Sequence, residues 1–356
     1  RGLGDVYKRQ VKYGICINKR GKKMSVKVAI NGFGRIGRNI LRAAIESNRE
    51  DIEVVAINDL GSPEMNAHLL KYDSVHGRFP LDLSIHKNYL KVNNVDIEIT
   101  AERDPANLPW SEVDVALECT GIFTDKEKAS QHLNNGSKKV LISAPASNVD
   151  RTVVFGVNHE SLTSADVIVS NASCTTNCLA PVAKILHENF GIEVGYMTTI
   201  HSYTGDQPVL DTLHKDYYRA RAASLNMIPT STGAAQAVSL VLPDLKGKLD
   251  GSAIRVPTPN VSCVDLKCIL TKESSVEEIN KAIHKASNTT LNGILAYEDA
   301  PLVSSDLNHH PASSIFAGAQ TKVLTGGMTR VMCWYDNEWG FSNRMLDTAS
   351  YLGSVE

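Results

Sequence analysis

A glycine-rich turn between a strand and a helix constrains the fold of this chain more than any other feature. The apolar run at 26–30 predicts a strand, and Gly32-Phe-Gly-Arg-Ile-Gly37 follows it directly. Apolar residues then recur at helical spacing before a second predicted strand at 52–57. In such a βαβ unit the glycines permit a tight turn, close approach of a pyrophosphate, and packing of the helix on the strand. The pattern predicts a dinucleotide-binding domain with Gly32, Gly34 and Gly37 at the cofactor.

An acidic residue at the end of the second strand predicts the choice of cofactor. Asp59 lies 22 residues after Gly37, where a carboxylate accepts a hydrogen bond from a ribose 2′-hydroxyl. The same carboxylate would repel the 2′-phosphate of NADP, so the sequence favours NAD. A glycine turn with a purely structural role is the alternative interpretation. It is disfavoured because strand, helix and acid follow in the expected order.

Two further strand ends predict an open, doubly wound parallel sheet. The runs 113–118 and 138–142 predict strands, joined by a helical stretch at 126–133. Ligands of such sheets bind beyond the carboxyl ends of the strands. The residues after these strands are candidate cofactor neighbours, although ordinary loop positions explain them equally well: Thr120, Gly121 and Ser143.

A cysteine stands at a predicted junction of strand and helix in the middle of the chain. The segment 166–170 predicts a short buried strand, and 179–190 carries helix-spaced apolar residues. Cys174 between them would lie at a helix N-terminus, where unpaired N–H groups and the helix dipole stabilise a thiolate. The alternative is a small core cysteine, which the surrounding Ser, Thr and Asn residues disfavour. We therefore expect a reactive thiol with a lowered pKa.

Polar groups after Cys174 are candidate partners for the thiol and for anions. His201 ends a predicted strand at 193–200 and is a candidate base, although a lone histidine more often has a structural role. Arg219 and Arg255 would singly be ordinary surface groups, but as a pair they suit phosphate oxygens.

The second half of the chain predicts an α+β domain with a mixed or antiparallel sheet. Its strand-like runs are separated by long connections: 193–200, 253–256, 262–270 and 329–335. Helical patterns cover 276–286 and 339–352. We expect a Rossmann-type NAD-binding domain over 25–173, closed by a C-terminal helix at 338–356, and a catalytic domain over 174–337. Residues 1–24 are basic and lack periodicity, and we expect a disordered leader outside the fold.

Composition disfavours several other classes of protein. The formal net charge of −2 indicates no preference for nucleic acid or membranes. The seven cysteines are irregularly spaced without paired C-x-x-C motifs, which argues against a disulfide framework and a structural zinc site. We expect a cytoplasmic protein without a bound metal. The longest uncharged stretch, 222–243, contains many polar residues and is a poor membrane span.

Six motifs, in order along the chain, carry a resemblance to a known family: 30–38, 173–178, 201–204, 229–235, 255–259 and 334–340. From about residue 26 to the C-terminus, the chain resembles the phosphorylating, NAD-dependent glyceraldehyde-3-phosphate dehydrogenases of bacterial type. The resemblance implies a homotetrameric enzyme of glycolysis. Its cofactor would be NAD, and its substrates glyceraldehyde 3-phosphate and inorganic phosphate.

The resemblance also implies roles for individual residues. Cys174 matches the nucleophile of the family, and His201 matches the residue that activates it. Further positions match cofactor contacts: Arg35, Ile36, Asp59, Arg103, Ser143 and Asn337. Another set matches positions that hold the aldehyde, its phosphate and inorganic phosphate: Ser173, Thr175, Thr204, Arg219, Thr232, Gly233 and Arg255. In that set, Arg255 matches the site of the substrate phosphate and Arg219 that of the attacking phosphate.

The implied reaction passes through a thiohemiacetal and a thioester on Cys174, with hydride transfer to the nicotinamide and release of an acyl phosphate. Three alternatives stay open: an erythrose-4-phosphate dehydrogenase, a semialdehyde dehydrogenase, and a non-enzymatic binding protein on the same scaffold. The segment Thr232-Gly-Ala-Ala235 favours the glyceraldehyde-3-phosphate branch over the first. Asp59 disfavours the second, which would suit NADP better.

Overall fold

The computed structural model describes residues 25–93 and 95–355, so the predicted leader at 1–24 lies outside the described residues. Their helices are α1 (Arg35–Glu46), α2 (Pro63–Lys71), α3 (Lys126–Ala129), α4 (Gln131–Asn134), α5 (Cys174–Phe190), α6 (Ala234–Val241), α7 (Val276–Ser287) and α8 (Trp339–Ser354). In this part of the chain, no helix combines the length and the apolar character needed to cross a bilayer.

The first half of the chain forms one large, mainly parallel sheet. The strands of this half are β1 (Val26–Asn31), β2 (Ile52–Asn58), β3 (Tyr72–Asp73), β4 (Gly77–Arg78), β5 (Leu83–His86), β6 (Tyr89–Val92), β7 (Val95–Thr100), β8 (Val115–Glu118), β9 (Lys139–Ile142), β10 (Arg151–Thr152) and β11 (Ile168–Ser170). β3 and β4 pair with each other as a separate two-stranded sheet, and the other nine form the large sheet. The sheet order is β10-β11-β9-β8-β1-β2-β7-β6-β5, and the pairs from β10 to β7 are parallel. The predicted parallel sheet is confirmed. The antiparallel edge of β5, β6 and β7 was not predicted.

Strand order reverses at β1, which places a binding crevice at one edge of this sheet. β1 lies between β2 and β8, and Asn31 at its end pairs with both Asn58 and Glu118. In open α/β sheets, ligands bind outside the carboxyl ends of the strands at such a reversal. The glycine turn follows β1, so it lies at this edge.

The C-terminal helix returns to the first sheet. α8 packs on α1 and on strands β1, β8 and β9. Its buried Met345, Leu346 and Leu352 join the same apolar cluster as Val28 and Ile40. Helical spacing of these side chains gives α8 an apolar stripe that covers the sheet.

The second half of the chain forms a mixed sheet, as predicted. Its strands are β12 (Ile192–Ser202), β13 (Ile228–Ser231), β14 (Leu249–Val256), β15 (Ser262–Leu270), β16 (Leu295–Glu298), β17 (Ser314–Ala317), β18 (Lys322–Val323) and β19 (Met328–Tyr335). The order is β13-β14-β12-β15-β19-β17-β16, with parallel pairs at β12–β14 and β16–β17 and β18 beside β19. Helices α5, α6 and α7 share a buried apolar cluster with this sheet.

The helical stretch predicted at 126–133 is present as two short helices, α3 and α4. The hydroxyl of Ser130 donates to the carbonyl of Glu127 at 2.6 Å. The N–H of Leu133 then bonds to the carbonyl of Ser130, three residues back. Serine competes with the backbone ladder in this way, which divides the helix.

Candidate active site

Cys174 is the first residue of α5, immediately after a tight turn from β11. Ala172 in that turn has a positive φ of 56°. Ser173 caps the helix, since its hydroxyl accepts a hydrogen bond from the N–H of Thr176 at 3.1 Å. The predicted strand-to-helix junction is therefore present. It leaves the half-buried thiol at a helix N-terminus, where unpaired N–H groups favour an anion.

His201 faces the thiol from the end of β12. The Sγ atom of Cys174 lies 3.6 Å from Nε2 of His201. The other ring nitrogen, Nδ1, lies 2.7 Å from the carbonyl oxygen of Ser202. A carbonyl only accepts, so Nδ1 carries the proton and Nε2 presents a lone pair to the sulfur. The structure thus brings together the two residues predicted to be catalytic, with a base aimed at the thiol.

The expected lowered pKa of Cys174 is contradicted. Burial raises the pKa of this thiol above its ordinary value and outweighs the lowering by the guanidinium of Arg255 and by hydrogen bonds at Thr175. Burial likewise lowers the pKa of His201 to about 3, and the positive charge of Arg255 adds to this effect. The resting pair is therefore a neutral thiol beside a neutral imidazole.

Tyr335 lies beside both Thr175 and His201, and it was not predicted as a site residue. Its hydroxyl lies 2.8 Å from Oγ1 of Thr175 and 2.8 Å from Oγ1 of Thr199. Its ring meets the ring of His201 edge-on, with centroids 5.8 Å apart. Thr175, predicted to hold substrate, thus bonds to Tyr335 in this structure. The motif at 334–340 contained Tyr335 and was the available signal.

Arg255 lies beside the catalytic histidine. On β14 it pairs in register with His201, and its Nη1 donates to the carbonyl of Ser202 and to Oγ1 of Thr204, each at 3.0 Å. Its Nε atom is buried without a protein partner among the described residues. A buried guanidinium with an unused donor suits an anionic ligand.

Arg219 approaches the same region from the loop between β12 and β13. It donates from Nη1 to Asp206 at 2.7 Å and from Nε to Thr230 at 3.1 Å. Asp206 also accepts from the hydroxyl of Thr204, so one carboxylate joins the surroundings of both arginines. The sequence analysis did not anticipate this carboxylate, which local pattern does not distinguish from a solvated loop residue.

Thr232 and Gly233 lie at the N-terminus of α6. Gly233 caps the helix, and Oγ1 of Thr232 accepts from the N–H of Ala234 at 3.2 Å. Free N–H groups at such a terminus favour anions.

The glycine turn leaves room for a dinucleotide. Gly32 has a φ of +90°, and a Cβ there would lie 2.7 Å from the backbone nitrogen of Thr120. A Cβ at Gly37 would lie 2.2 Å from the carbonyl oxygen of Gly32, so the helix packs directly on the turn. Gly34, at the start of α1, has no atom within 4 Å of its Cβ position. This open backbone at a helix N-terminus fits a pyrophosphate.

Comparison with known proteins decides the family. The family model described as "Glyceraldehyde 3-phosphate dehydrogenase, NAD binding domain" matches residues 26–126, and the corresponding C-terminal domain matches residues 173–337. Proteins named glyceraldehyde-3-phosphate dehydrogenase from Cereibacter sphaeroides and Xanthobacter flavus are both 64% identical to this chain, over 93% of it and 100% of their own length. The chain belongs to the glyceraldehyde-3-phosphate dehydrogenase family. A third relative so named, from Geobacillus stearothermophilus, is 58% identical over 93% of the chain and 99% of its own length.

Membership of the glyceraldehyde-3-phosphate dehydrogenase family confirms the predicted fold class, the oxidoreductase class and NAD as the cofactor. Asp59, predicted to bind the ribose, is held at the end of β2. Its Oδ2 accepts from the N–H of Phe33 at 2.8 Å and its Oδ1 from that of Gly61 at 2.9 Å. Each oxygen retains a second lone pair for a ligand.

The remaining positions matched to the family's cofactor contacts differ in their surroundings. Arg35 pairs with Glu338 and Asp73, and Asn337 is buried and accepts from the hydroxyl of Ser262 at 2.8 Å. Ile36 is half-buried on α1, Thr120 and Gly121 follow β8, Ser143 follows β9, and Arg103 is exposed after β7. Strand ends predicted Thr120, Gly121 and Ser143, whereas the resemblance alone pointed to the others: Arg35, Ile36, Arg103 and Asn337.

Proposed function

We propose that this protein catalyses the phosphorylating oxidation of D-glyceraldehyde 3-phosphate with NAD and inorganic phosphate, giving 1,3-bisphosphoglycerate. One observation carries the proposal: Cys174 Sγ lies 3.6 Å from His201 Nε2, whose ring is fixed through Nδ1 by a backbone carbonyl. Relatives over nearly the full chain are named for this aldehyde. A nucleophile, an oriented base and two arginine-bearing segments are the groups that the reaction requires.

The first half of the reaction forms a thioester. Because the resting pair is neutral, His201 accepts the thiol proton as Cys174 attacks the aldehyde carbon, and then donates it to the new alkoxide. The product is a thiohemiacetal. His201 next accepts its hydroxyl proton as hydride leaves the same carbon. Bound NAD supplies the hydride acceptor.

The second half releases the acyl group. An oxygen of inorganic phosphate attacks the thioester carbon, the C–S bond breaks, and the sulfur regains the proton from His201. Arg255 with Thr204 binds the phosphate of the substrate. Arg219 with Thr232 and Gly233 binds the attacking phosphate, and Ser173 and Thr175 line the reacting carbon.

The assembly we propose is a cytoplasmic homotetramer. Strongly exposed apolar side chains cluster in the loop between β12 and β13: Val209, Leu210, Leu213, Tyr217, Tyr218, Leu225 and Met227. A contiguous apolar patch of this kind usually becomes buried in an interface. We assign NAD binding to residues 25–173 with 338–356 and catalysis to 174–337.

A comparison of two sugar phosphates tests the choice of substrate. We expect NADH formation from glyceraldehyde 3-phosphate with a kcat/KM at least about ten-fold above that for erythrose 4-phosphate, equivalent to about 1.4 kcal/mol in the transition state. Cys174→Ser is the matched control and should abolish turnover of both. A preference for the longer sugar would assign the chain to the other dehydrogenase branch.

A further inference from the structure

Two histidines meet beside the glycine turn and join the two halves of the molecule. His76 lies between β3 and β4, and His309 precedes β17. Their Nδ1 atoms face each other at 3.0 Å. The side chain of His76 is fully buried, and His309 stacks on Trp339 with ring centroids 3.5 Å apart. Neither histidine has a role in the proposed reaction.

Two carboxylates make the Nε2 atom of each histidine ring a hydrogen-bond donor. Nε2 of His76 lies 3.0 Å from Oε2 of Glu338, and Nε2 of His309 lies 3.0 Å from Oε2 of Glu46. Each carboxylate also pairs with an arginine of α1, which keeps it ionised. An ionised carboxylate only accepts, so both Nε2 atoms carry hydrogen.

The facing nitrogens then require one more proton. A neutral imidazole has a single N–H, and in both rings it is already placed at Nε2. Two neutral rings would therefore direct two lone pairs at each other across 3.0 Å. One added proton turns this repulsion into a charge-assisted hydrogen bond. We infer that His76 and His309 share one proton and that the protonated pair positions Arg35 at the cofactor turn.

The charges around the pair favour this proton. Three arginines of α1 and four carboxylates from α1, the β3–β4 connection and the start of α8 surround it: Arg35, Arg38, Arg42, Glu46, Asp73, Asp336 and Glu338. His310 beside the pair is neutral, since burial lowers its pKa to about 4.

The route to the cofactor passes through Glu338. Arg35 donates to Glu338 from Nε at 2.7 Å and through a second contact at Nη2, and it also pairs with Asp73 at 2.5 Å. Arg35 is the first residue of α1, directly after Gly34. Without the proton, Glu338 loses its cationic histidine and the contact between His76 and His309 becomes repulsive. The turn would then be held less firmly, and NAD would bind more weakly.

The pH dependence of NAD affinity in the full-length assembly tests this inference, which rests on the proposed cofactor site. The dissociation constant of NAD is measured by calorimetric titration between pH 6 and 9. It should rise with pH where the two histidines lose the shared proton, by up to about ten-fold per pH unit, which is the slope for one linked proton. In His309→Asn this slope should disappear. An asparagine amide N–H can donate to His76 without an extra proton, and asparagine tolerates the φ of +67° at this position.

Arg35→Gln separates the two proposals. It should weaken NAD binding about ten-fold or more, because a charged hydrogen-bond donor at the cofactor turn is lost. If Arg35→Gln weakens NAD binding while His309→Asn keeps the wild-type pH dependence of NAD affinity, the shared proton is refuted and the proposed cofactor site is supported. If Arg35→Gln leaves NAD affinity unchanged, the proposed contact of Arg35 fails, and the inference fails with it.

A second measurement does not depend on the folding of His309→Asn. In a Cys174→Ser background, which removes the reactive thiol, NAD binding at pH 8 is titrated in two buffers of different ionisation enthalpy. The shared proton predicts uptake of up to one proton per site as NAD binds, since binding favours the protonated pair. Zero uptake, or an NAD affinity independent of pH, would overturn the inference.

Discussion

The proton between Cys174 and His201 is the residue-scale feature on which the proposed chemistry depends. One carbonyl, that of Ser202, accepts from both His201 Nδ1 and Arg255 Nη1. It fixes the imidazole tautomer and holds a positive charge near the sulfur. Burial keeps the pair neutral at rest, so the thiolate forms as the aldehyde arrives, and His201 stores the proton between steps.

Thiol alkylation tests the assignment of the nucleophile. Brief treatment with iodoacetamide at pH 7 should label Cys174 before the other described cysteines. Those cysteines are buried or, like Cys119, have a pKa raised by burial, whereas the Sγ atom of Cys174 lies 3.6 Å from Nε2 of His201, which can accept the thiol proton. His201→Asn should slow the labelling about ten-fold or more, because the base is absent. Faster labelling of Cys119 with activity retained would falsify the assignment.

The buried histidine also predicts a pH dependence of stability. Burial lowers the pKa of His201 to about 3 in the folded protein, against an ordinary value of 6.5 for a solvated histidine. Between these values the unfolded chain binds the extra proton, so folding stability falls as pH decreases below 6.5. At pH 5.5 the neutral, buried His201 lowers the free energy of unfolding by about 1.4 kcal/mol. Urea unfolding at pH 7.5 and 5.5 should show this extra loss in the wild type relative to His201→Asn. Equal losses in both proteins would mean that His201 is accessible to protons.

Local sequence was enough to select Cys174 and to make His201 a candidate, because a strand-to-helix junction and a strand end are both short-range patterns. The role of His201 as the partner of the thiol came from the resemblance. Tyr335 could not be found in this way. Its bonds to Thr175 and Thr199 span 160 and 136 residues. Asp206 looked like a solvated loop residue until the fold placed Thr204 and Arg219 around it. The lowered thiol pKa was wrong because the sequence showed the helix terminus but not the desolvation.

At the scale of elements, strongly patterned segments were predicted well, whereas segments with a weak or mixed pattern were not. β15 has the predicted bounds of 262–270, and α7 extends the predicted 276–286 by one residue. β13 and α6 were missed because the uncharged run 222–243 hides the change from strand to helical period. β5 and β6 were missed because four residues are too few for alternation to stand out, whereas the short buried strands β8, β9 and β11 were predicted from their apolar runs.

The glycine turn allows an element-scale prediction with a matched pair of variants. Gly32→Ala should lower the melting temperature and weaken NAD, because φ is +90° and the new Cβ would contact Thr120 backbone at 2.7 Å. Gly34→Ala should keep the melting temperature, since no atom lies within 4 Å of its Cβ, yet still weaken NAD by crowding the pyrophosphate. Differential scanning fluorimetry with and without NAD measures both effects. Unchanged NAD affinity in Gly34→Ala would place the pyrophosphate elsewhere.

At the scale of the whole molecule, the proposed reaction needs both halves of the chain. The first sheet presents the glycine turn and Asp59, whereas α5 and the second sheet present Cys174, His201 and Arg255. α8 packs back on the first sheet although it is last in sequence. The sequence predicted both sheets and a C-terminal helix that closes the NAD-binding domain. The contacts of His309 with His76 and with Glu46 of α1 are long-range and were not predicted.

The proposed division of labour between the two arginines belongs to this scale. Arg219→Leu should preserve a first burst of NADH and reduce steady turnover roughly ten- to hundred-fold, because one charge-assisted bond to the attacking phosphate is lost. Arg221→Leu is the matched control: it lies in the same loop, but pairs with Asp211 at the surface. Its steady rate should match the wild type. A burst lost in Arg219→Leu would place this arginine in the first half of the reaction.

The most direct test of the proposed function is rapid mixing of the enzyme with NAD and glyceraldehyde 3-phosphate, with and without inorganic phosphate, while NADH absorbance is followed. Without phosphate we predict a burst of one NADH per active site that then stalls, because the acyl group stays on Cys174. With phosphate the burst should continue into steady turnover. Equal steady rates in both conditions would contradict the proposal, because water would then resolve the thioester.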